Sequence, residues 1–408
     1  MRENNQRITG EAMSALAERW KLDEQRFFWI YGEQGRAPKR VELDERTGIW
    51  NVHGHANALQ VLNNPAIFSS GTGRLIPEQS EFDEGAITQL DPPRHTKLRK
   101  LVTAAFTPRA IAELEPRVHA IVDTLLSKVE GERGFDLITD FAYPLPITVI
   151  TELLGVPADD HVLIQGWVDR MLSGTTELSL VDHENDSEIV DVLAQAKHIT
   201  DYLRGLVKER VANPRDDMLT KLVQAEVDGE RLTEPEIVNF ANALLVAGHV
   251  TTTLLIGSTV LCLDAYPEAD RAVRSDRSLM PTLLEETLRY FPPITMMARV
   301  TNAEVELGGV TIGPDQFVAV WSPTANRDDE VFADPFAFDP AREPNPHLSF
   351  GRGAHFCIGA ALARREGYIA MNALFDRFPR LRVDPDGTPT FMTSPNLNGL
   401  TKLPVVVD

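Results

Sequence analysis

Between "LDPPRHTKLRKLV", with a double proline at a helix start, and about Tyr290, apolar residues recur at helical spacing through much of the chain. That period describes helices that bury one face, so the middle of the protein is expected to be helical. Before it, "KRVELDERTGIWNVHGH" sets two short β-prone runs around a turn at Glu45 to Gly48, a hairpin signal. "HGHANALQVLNN" predicts a short helix stopped by Pro65, and Ser69 to Gly85 a loop rich in Gly, Ser and acidic residues. From Ala298 the period shortens: "ARVTNAEVELGGVTIGPDQFVAVW" alternates in brief runs broken by Gly-Gly and Gly-Pro, the pattern of a small sheet. "TANRDDEVFADPFAFDPAREPNPHLSF" is proline-studded and aperiodic, and loops of that length are uncommon unless they do something. A last helix precedes a second β region, "PRLRVDPDGTPTFMTSPNLNGLTKLPVVV".

One stretch, Ile237 to Tyr266, is long and apolar enough to raise a membrane span. Asn239, Asn242, His249 and a threonine cluster interrupt it and basic flanks are lacking, so a core helix is the expectation. Across 408 residues there is no internal repeat, low-complexity tract or linker, which favours one α-rich domain over residues 1–408 with minor β sheets. A net charge of −20 disfavours nucleic acid and anionic membranes as partners. Two cysteines, Cys262 and Cys357, make no disulfide framework, and the N-terminus ("MRENNQRITGEAMSALAERW") has no apolar signal core, so a reducing cytoplasm is expected.

Cys357 stands alone in "HLSFGRGAHFCIGAALARRE", a glycine-broken run that turns into an alanine-rich helix. A thiol acts as nucleophile or ligand only as thiolate. A helix starting near Ile358 to Ala360, with Arg352 and His355 beside it, is expected to lower its pKa, while Gly351, Gly353 and Gly359 let backbone N–H groups approach. No second cysteine or paired histidines offer a zinc set, and there is no C-x-x-C-H. A nucleophilic cysteine remains open but would need a partnered base and leaves the glycines unexplained. An open thiolate under a large planar cofactor accounts for them, because glycines remove side chains that would clash with a macrocycle.

"FGRGAHFCIG", Phe350 to Gly359, resembles the cysteine-ligand loop of the cytochrome P450 superfamily of soluble bacterial type, and the likeness covers nearly the whole chain. It implies the P450 fold, an α-rich triangular prism around a buried haem, mainly α with small β sheets. It also implies haem b with Cys357 as the metal ligand, in contact with Phe350, Gly351 and Gly359. In "LLEETLRYFPP", Glu286 and Arg289 share a helix face, and by resemblance they form a buried network with Arg342 of "FDPAR". His95 and Arg99, four apart in "HTKLRKLV", would hold haem propionates together with Arg299 and His355.

"ALLVAGHVTTT" resembles the family's oxygen-activation stretch, which implies catalytic roles for Ala247, Gly248, Thr251 and Thr252. The Thr251 hydroxyl can bond back to the carbonyl of Ala247 and open a groove there. The residue before this threonine is usually acidic in the family, and here it is Val250, which relays no proton. His249 points about 100° away from Val250 round the helix and is not taken as its substitute. Water, Thr251, Thr252 or a substrate hydroxyl are left to complete the relay.

By position in the family the substrate pocket comprises Ile87, Thr88, Leu244, Ile294, Thr295, Met296, Met297 and Leu397, which suits an apolar or amphipathic small molecule. The resemblance implies O2 as co-substrate and a separate ferredoxin-type or flavodoxin-type electron donor. Lys97, Lys100, Arg109, Arg352 and Arg364 are expected to form a basic docking patch for it. The leading function is hydroxylation or epoxidation in bacterial secondary metabolism or catabolism. A peroxide-using or otherwise atypical haem-thiolate enzyme and a non-catalytic haem-binding protein are the alternatives.

Overall fold

A computed structural model describes residues 40–75, 86–103, 108–172, 187–227, 229–394 and 396–407. Residues 1–39, and residues 76–85 of the predicted loop, lie outside them.

The hairpin forms where expected, with Val41–Asp44 paired antiparallel to Ile49–Val52. Asp44 makes the turn: its carboxylate accepts from Arg46 N and Thr47 Oγ1, both at 2.9 Å, and Gly48 supplies the left-handed φ of +74°. Its second strand runs parallel to Phe317–Trp321, which pairs antiparallel with Met296–Thr301, and Phe68–Ser69 closes this five-stranded sheet. Every residue of Phe317–Trp321 is buried, as its uninterrupted apolar run requires of a central strand. The C-terminal β region forms small sheets, one of which joins Pro404–Val406 to Gly134–Asp136.

The central element is the 32-residue helix Glu234–Ala265. A capping box starts it: Glu236 N donates to Thr233 Oγ1 and Thr233 N donates to the Glu236 carboxylate. Its composition and length would suffice for a bilayer, yet 78% of its most apolar window is buried inside the protein. Helices Pro144–Leu154, Ser187–Ala212, Met280–Tyr290 and Ala360–Arg377 pack around it. Gly257 permits the closest approach, since a Cβ there would lie 2.6 Å from Ile138 Cδ1. Ile138 opens a π-helical turn to Ala142, whose carbonyl accepts from Thr253 Oγ1 of the central helix at 3.2 Å.

Candidate active site around Cys357

Cys357 lies at the end of a loop that folds back on itself. Its N–H donates to Phe350 O at 2.8 Å, and Gly351 N donates to Leu348 O at 2.8 Å. Gly351 and Gly353 both have φ of +68°, and a Cβ on Gly353 would come 2.5 Å from Leu62 O. Position 353 therefore requires glycine for both conformation and space. The helix begins at Ala360, inside the expected span.

The expected low thiol pKa is not found. Burial raises it, and the N–H groups of Gly359 and Ala360 and the charges of Arg99 and Arg364 oppose that only in part. Arg352 is exposed and the His355 ring is neutral near pH 7, so the cations that act on the sulfur differ from those expected. Cys262 is simply a buried core thiol.

Below the loop lies a dense polar network. Glu286 and Arg289 are 0% exposed and form a two-pronged pair, Arg289 Nε to Oε2 at 2.7 Å and Nη2 to Oε1 at 2.8 Å. Arg342 Nε donates to both oxygens of Glu286 at 3.0 and 3.1 Å, and Asp339 N and Asn345 Nδ2 donate to it as well. The remaining donors of Arg289 and Arg342 go to carbonyls of residues 326 and 333–337. This arrangement pins the aperiodic loop to helix Met280–Tyr290 and satisfies a buried carboxylate fully. Asn326 extends it to the cysteine loop: it accepts from Leu348 N and donates to Ser349 Oγ, which donates to Leu288 O.

A second acidic anchor, Glu285, was not singled out in the sequence. It receives Arg364 Nε at 2.7 Å and Nη2 at 2.8 Å, and His347 Nε2 lies 3.1 Å away. The Arg364 guanidinium stacks 4.4 Å from the Phe350 ring centroid. Burial pushes the Glu285 pKa up, but hydrogen bonds from Arg364 and His347 outweigh it and hold the carboxyl near 2. The available signal was an adjacent Glu-Glu on a helix, whose residues reach different partners.

The four residues expected to hold propionates converge in part. The His95 and His355 rings lie 4.1 Å apart. Both His95 ring nitrogens and His355 Nε2 are buried without a hydrogen-bond partner. Burial, with the nearby His95 and Arg299, pushes His355 down to about 3, and burial lowers Arg299 to about 10 despite Asp91. Arg99 donates from Nη2 to Phe356 O at 2.5 Å, so it also ties the cysteine loop to helix Arg94–Thr103.

In the middle of the otherwise buried central helix, Ala247 is exposed and Gly248 and Thr251 are half-buried. The core is open on that face. Thr251 Oγ1 donates to Ala247 O at 2.8 Å, the back-bond anticipated from spacing, and Thr252 makes a longer one of 3.5 Å to Gly248 O. Val250 is buried. His249 is 0% exposed on the far side, edge-on to Tyr143 at 4.1 Å.

Of the expected pocket residues, Ile294 and Leu397 meet in a β-bridge, Thr295 N donates to Asn396 O, and Leu244 lies on the central helix. The turn Ile87–Gln89 packs against that helix; Ile87 is buried and Thr88 exposed. Met296 and Met297 cannot both face one pocket, because neighbours in a strand point to opposite sides. Met297 approaches Gly351, whereas Met296 packs against a separate core cluster that holds Ile49, Val300 and Phe317. The expected basic patch is also reduced: Lys97 pairs with Glu230, Arg109 with Glu113 and Arg364 with Glu285. Lys100 and Arg352 remain exposed.

The chain matches the family model described as Cytochrome P450 over residues 44–406. It is 42% identical over 358 residues to the cyclomarin C epoxidase CymV of Salinispora arenicola, covering 87% of this chain and 89% of that protein. It is likewise 42% identical to the erythromycin C-12 hydroxylase of Saccharopolyspora erythraea, over 85% of this chain and 86% of the relative. The solved structure of HmtN, a post-tailoring hydroxylase involved in himastatin biosynthesis, is similar at TM-score 0.84 and 47% identity, over 96% of this chain and 99% of that one. Since the match spans almost all of the chain and the relatives are named for oxygen insertion, the chain belongs to the cytochrome P450 family and is a haem monooxygenase.

Proposed function

We propose that this chain, as one P450 domain, hydroxylates or epoxidises an apolar or amphipathic small molecule of bacterial secondary metabolism, using O2 and electrons from a separate ferredoxin-type or flavodoxin-type donor. The observation that carries the reading is the pair of buried imidazoles, His95 and His355, 4.1 Å apart beside Arg299 with ring nitrogens unsatisfied. Buried polar atoms without partners are costly, and an anionic group between them would supply the missing hydrogen bonds and offset the burial that holds their pKa values down. Haem carboxylates fit that requirement. Gly351 and Gly359, where an added Cβ would meet nothing closer than 3.6 Å, and the opening at Ala247 leave room for a flat cofactor against Cys357, while Gly353 serves the close packing on Leu62.

In this reading Cys357 Sγ would bind the haem iron, its thiolate form favoured by the N–H groups of Gly359 and Ala360 and by Arg99 and Arg364. His95, His355 and Arg299 hold the carboxylates, while Phe350 and Gly351 shape the cysteine side. A haem on a thiolate supplies the capacity to bind and reductively activate dioxygen. Thr251 holds a proton at its hydroxyl, at present given to Ala247 O, and can turn it towards the opening. Leu244, Ile294 and Leu397 orient an apolar substrate there.

The relatives support substrate oxidation by their names, which cover an epoxidation and hydroxylations of different compounds. The haem-loaded protein, given a heterologous donor system and labelled dioxygen, should insert one labelled oxygen into a member of a secondary-metabolite panel. Donor oxidation without labelled product from any compound that perturbs the haem spectrum would overturn the reading.

A second reading, a peroxide-using enzyme, is favoured by one observation: Ala247 to Thr252 contains no carboxylate, with Val250 buried where the family usually has an acid. Turnover with hydrogen peroxide that exceeds donor-driven turnover would favour it. Val250→Asp should then raise donor-driven coupling severalfold.

A further inference from the structure

Two adjacent acids on helix Met280–Tyr290 divide the support of the cysteine loop between them. Glu286 faces Arg289 and Arg342, whereas Glu285 grips Arg364 from the helix that follows the cysteine. Arg364 grips Glu285 by two parallel bonds from Nε and Nη2, 2.7 and 2.8 Å long, while its guanidinium lies over the Phe350 ring at 4.4 Å. Phe350 is also the residue whose carbonyl accepts the Cys357 N–H at 2.8 Å. The His347 ring completes the support, 3.1 Å from Glu285 and 6.0 Å between centroids from Phe350. One carboxylate thus fixes the cation that lies over the residue bonded to the cysteine backbone.

We infer that Glu285 is a positioning residue for the haem-thiolate: through Arg364 and Phe350 it sets how much positive charge the Cys357 sulfur feels, and so tunes the reduction potential of the bound iron. The inference rests on Cys357 being the axial ligand. It assigns Arg364 a task different from the donor-docking role expected from its charge. With its side chain 40% exposed, Arg364 touches solvent, but its Nε and Nη2 are bonded to Glu285. A lysine could keep the charge but neither the two-pronged bond nor the ring stack.

The sign of the effect follows from charge. Reducing the iron adds one electron near the sulfur, so a cation held there favours the ferrous state and a carboxylate disfavours it. Arg364→Gln should lower the reduction potential, and Glu285→Gln should shift it by less, because losing the repelling carboxylate and losing the hold on Arg364 act in opposite senses. Because Glu285 places Arg364, the effect of Arg364→Gln should shrink to about half or less when introduced on the Glu285→Gln background, since residues in one network are not additive. Neutralising Arg352, an exposed cation of the same loop, should shift the potential by less than half as much as Arg364→Gln.

The experiment is redox titration of the haem-loaded wild type, Arg364→Gln, Glu285→Gln, the double variant and Arg352→Gln, each with a ferrous–carbonyl spectrum. Arg364→Lys serves as the milder replacement and should fall between wild type and Arg364→Gln. A lowered potential in Arg364→Gln, a smaller shift in Glu285→Gln, coupling in the double variant and a small Arg352 effect support the inference. An unchanged potential in Arg364→Gln, a Glu285→Gln shift as large as that of Arg364→Gln, additive shifts, or an Arg352 effect as large as that of Arg364 overturn it while leaving the thiolate reading intact. A wild-type spectrum without the thiolate signature overturns both.

Discussion

On the cysteine side Glu286 accepts hydrogen bonds from Arg289, Arg342, Asp339 and Asn345, and both guanidiniums also donate to backbone carbonyls. On the far side of the central helix His249 is equally inaccessible, yet neither of its ring nitrogens has a partner, and burial drives its pKa down to about 3. Both solutions bury a titratable side chain. The first keeps the charge and surrounds it; the second gives the charge up. The charged solution supplies directions, because each bond fixes an orientation, and it occurs where a loop without secondary structure must present one sulfur. The neutral solution supplies only packing, against the Tyr143 ring, behind the helix face that opens at Ala247 and Thr251.

The contrast is broken most severely at Glu286. Replacing it by glutamine strands two buried arginines, and removing one partner of such a network costs about 3 to 5 kcal/mol. Glu286→Gln should lose most soluble, haem-retaining protein, as measured by denaturation midpoint and haem content; a midpoint near wild type would mean the network is not needed for the loop.

At His249 the test is pH. Its folded pKa of about 3 lies below the ordinary 6.5, so the unfolded state binds the extra proton as pH falls between those values. Stability is intact above about 6.5 and declines below it, at about 1.4 kcal/mol per pH unit, or about 2 kcal/mol by pH 5. His249→Leu should remove that share of the slope, leaving the contributions of His53, which burial likewise holds down to about 4, and of His95 and His355, whose pKa values burial also lowers. An unchanged slope would show that His249 finds a partner or solvent in the folded protein.

The smallest effect on the fold, and the most specific on activity, belongs to Thr251. Its hydroxyl back-bonds within its own helix, so Thr251→Ala should change stability by no more than about 1 kcal/mol. Product formed per reductant consumed should nevertheless fall about tenfold, the order expected for losing a positioned proton donor. Equal coupling in the two proteins would remove Thr251 from the oxygen chemistry.

The same contrast explains what could be read before the fold was known. The Asp44 turn, the helix end at Tyr290, the helix start at Ala360 and the Thr251 back-bond follow from contacts within a few residues, where spacing is informative. Family resemblance, rather than physics, brought His95 and His355 together on the page, and the fold sets them 4.1 Å apart. Glu285 and Arg364 are 79 residues apart, and Asn326 and Leu348 are 22 apart, in stretches whose periodicity says nothing about pairing. The thiol pKa was expected to fall because neighbouring charges are visible in sequence and burial is not. The basic patch was overcounted for a related reason: cations can be counted along the chain, but their acidic partners are distant in it.

The central claim is that Cys357 holds haem iron as an anion on the braced loop. The most direct measurement is the ferrous–carbonyl difference spectrum of freshly haem-loaded wild type beside Cys357→Ala. The account predicts the long-wavelength Soret band of a thiolate ligand in wild type and its complete loss in the variant. A wild-type band at the position of a neutral or nitrogenous ligand, or a thiolate band that survives in Cys357→Ala, would contradict it.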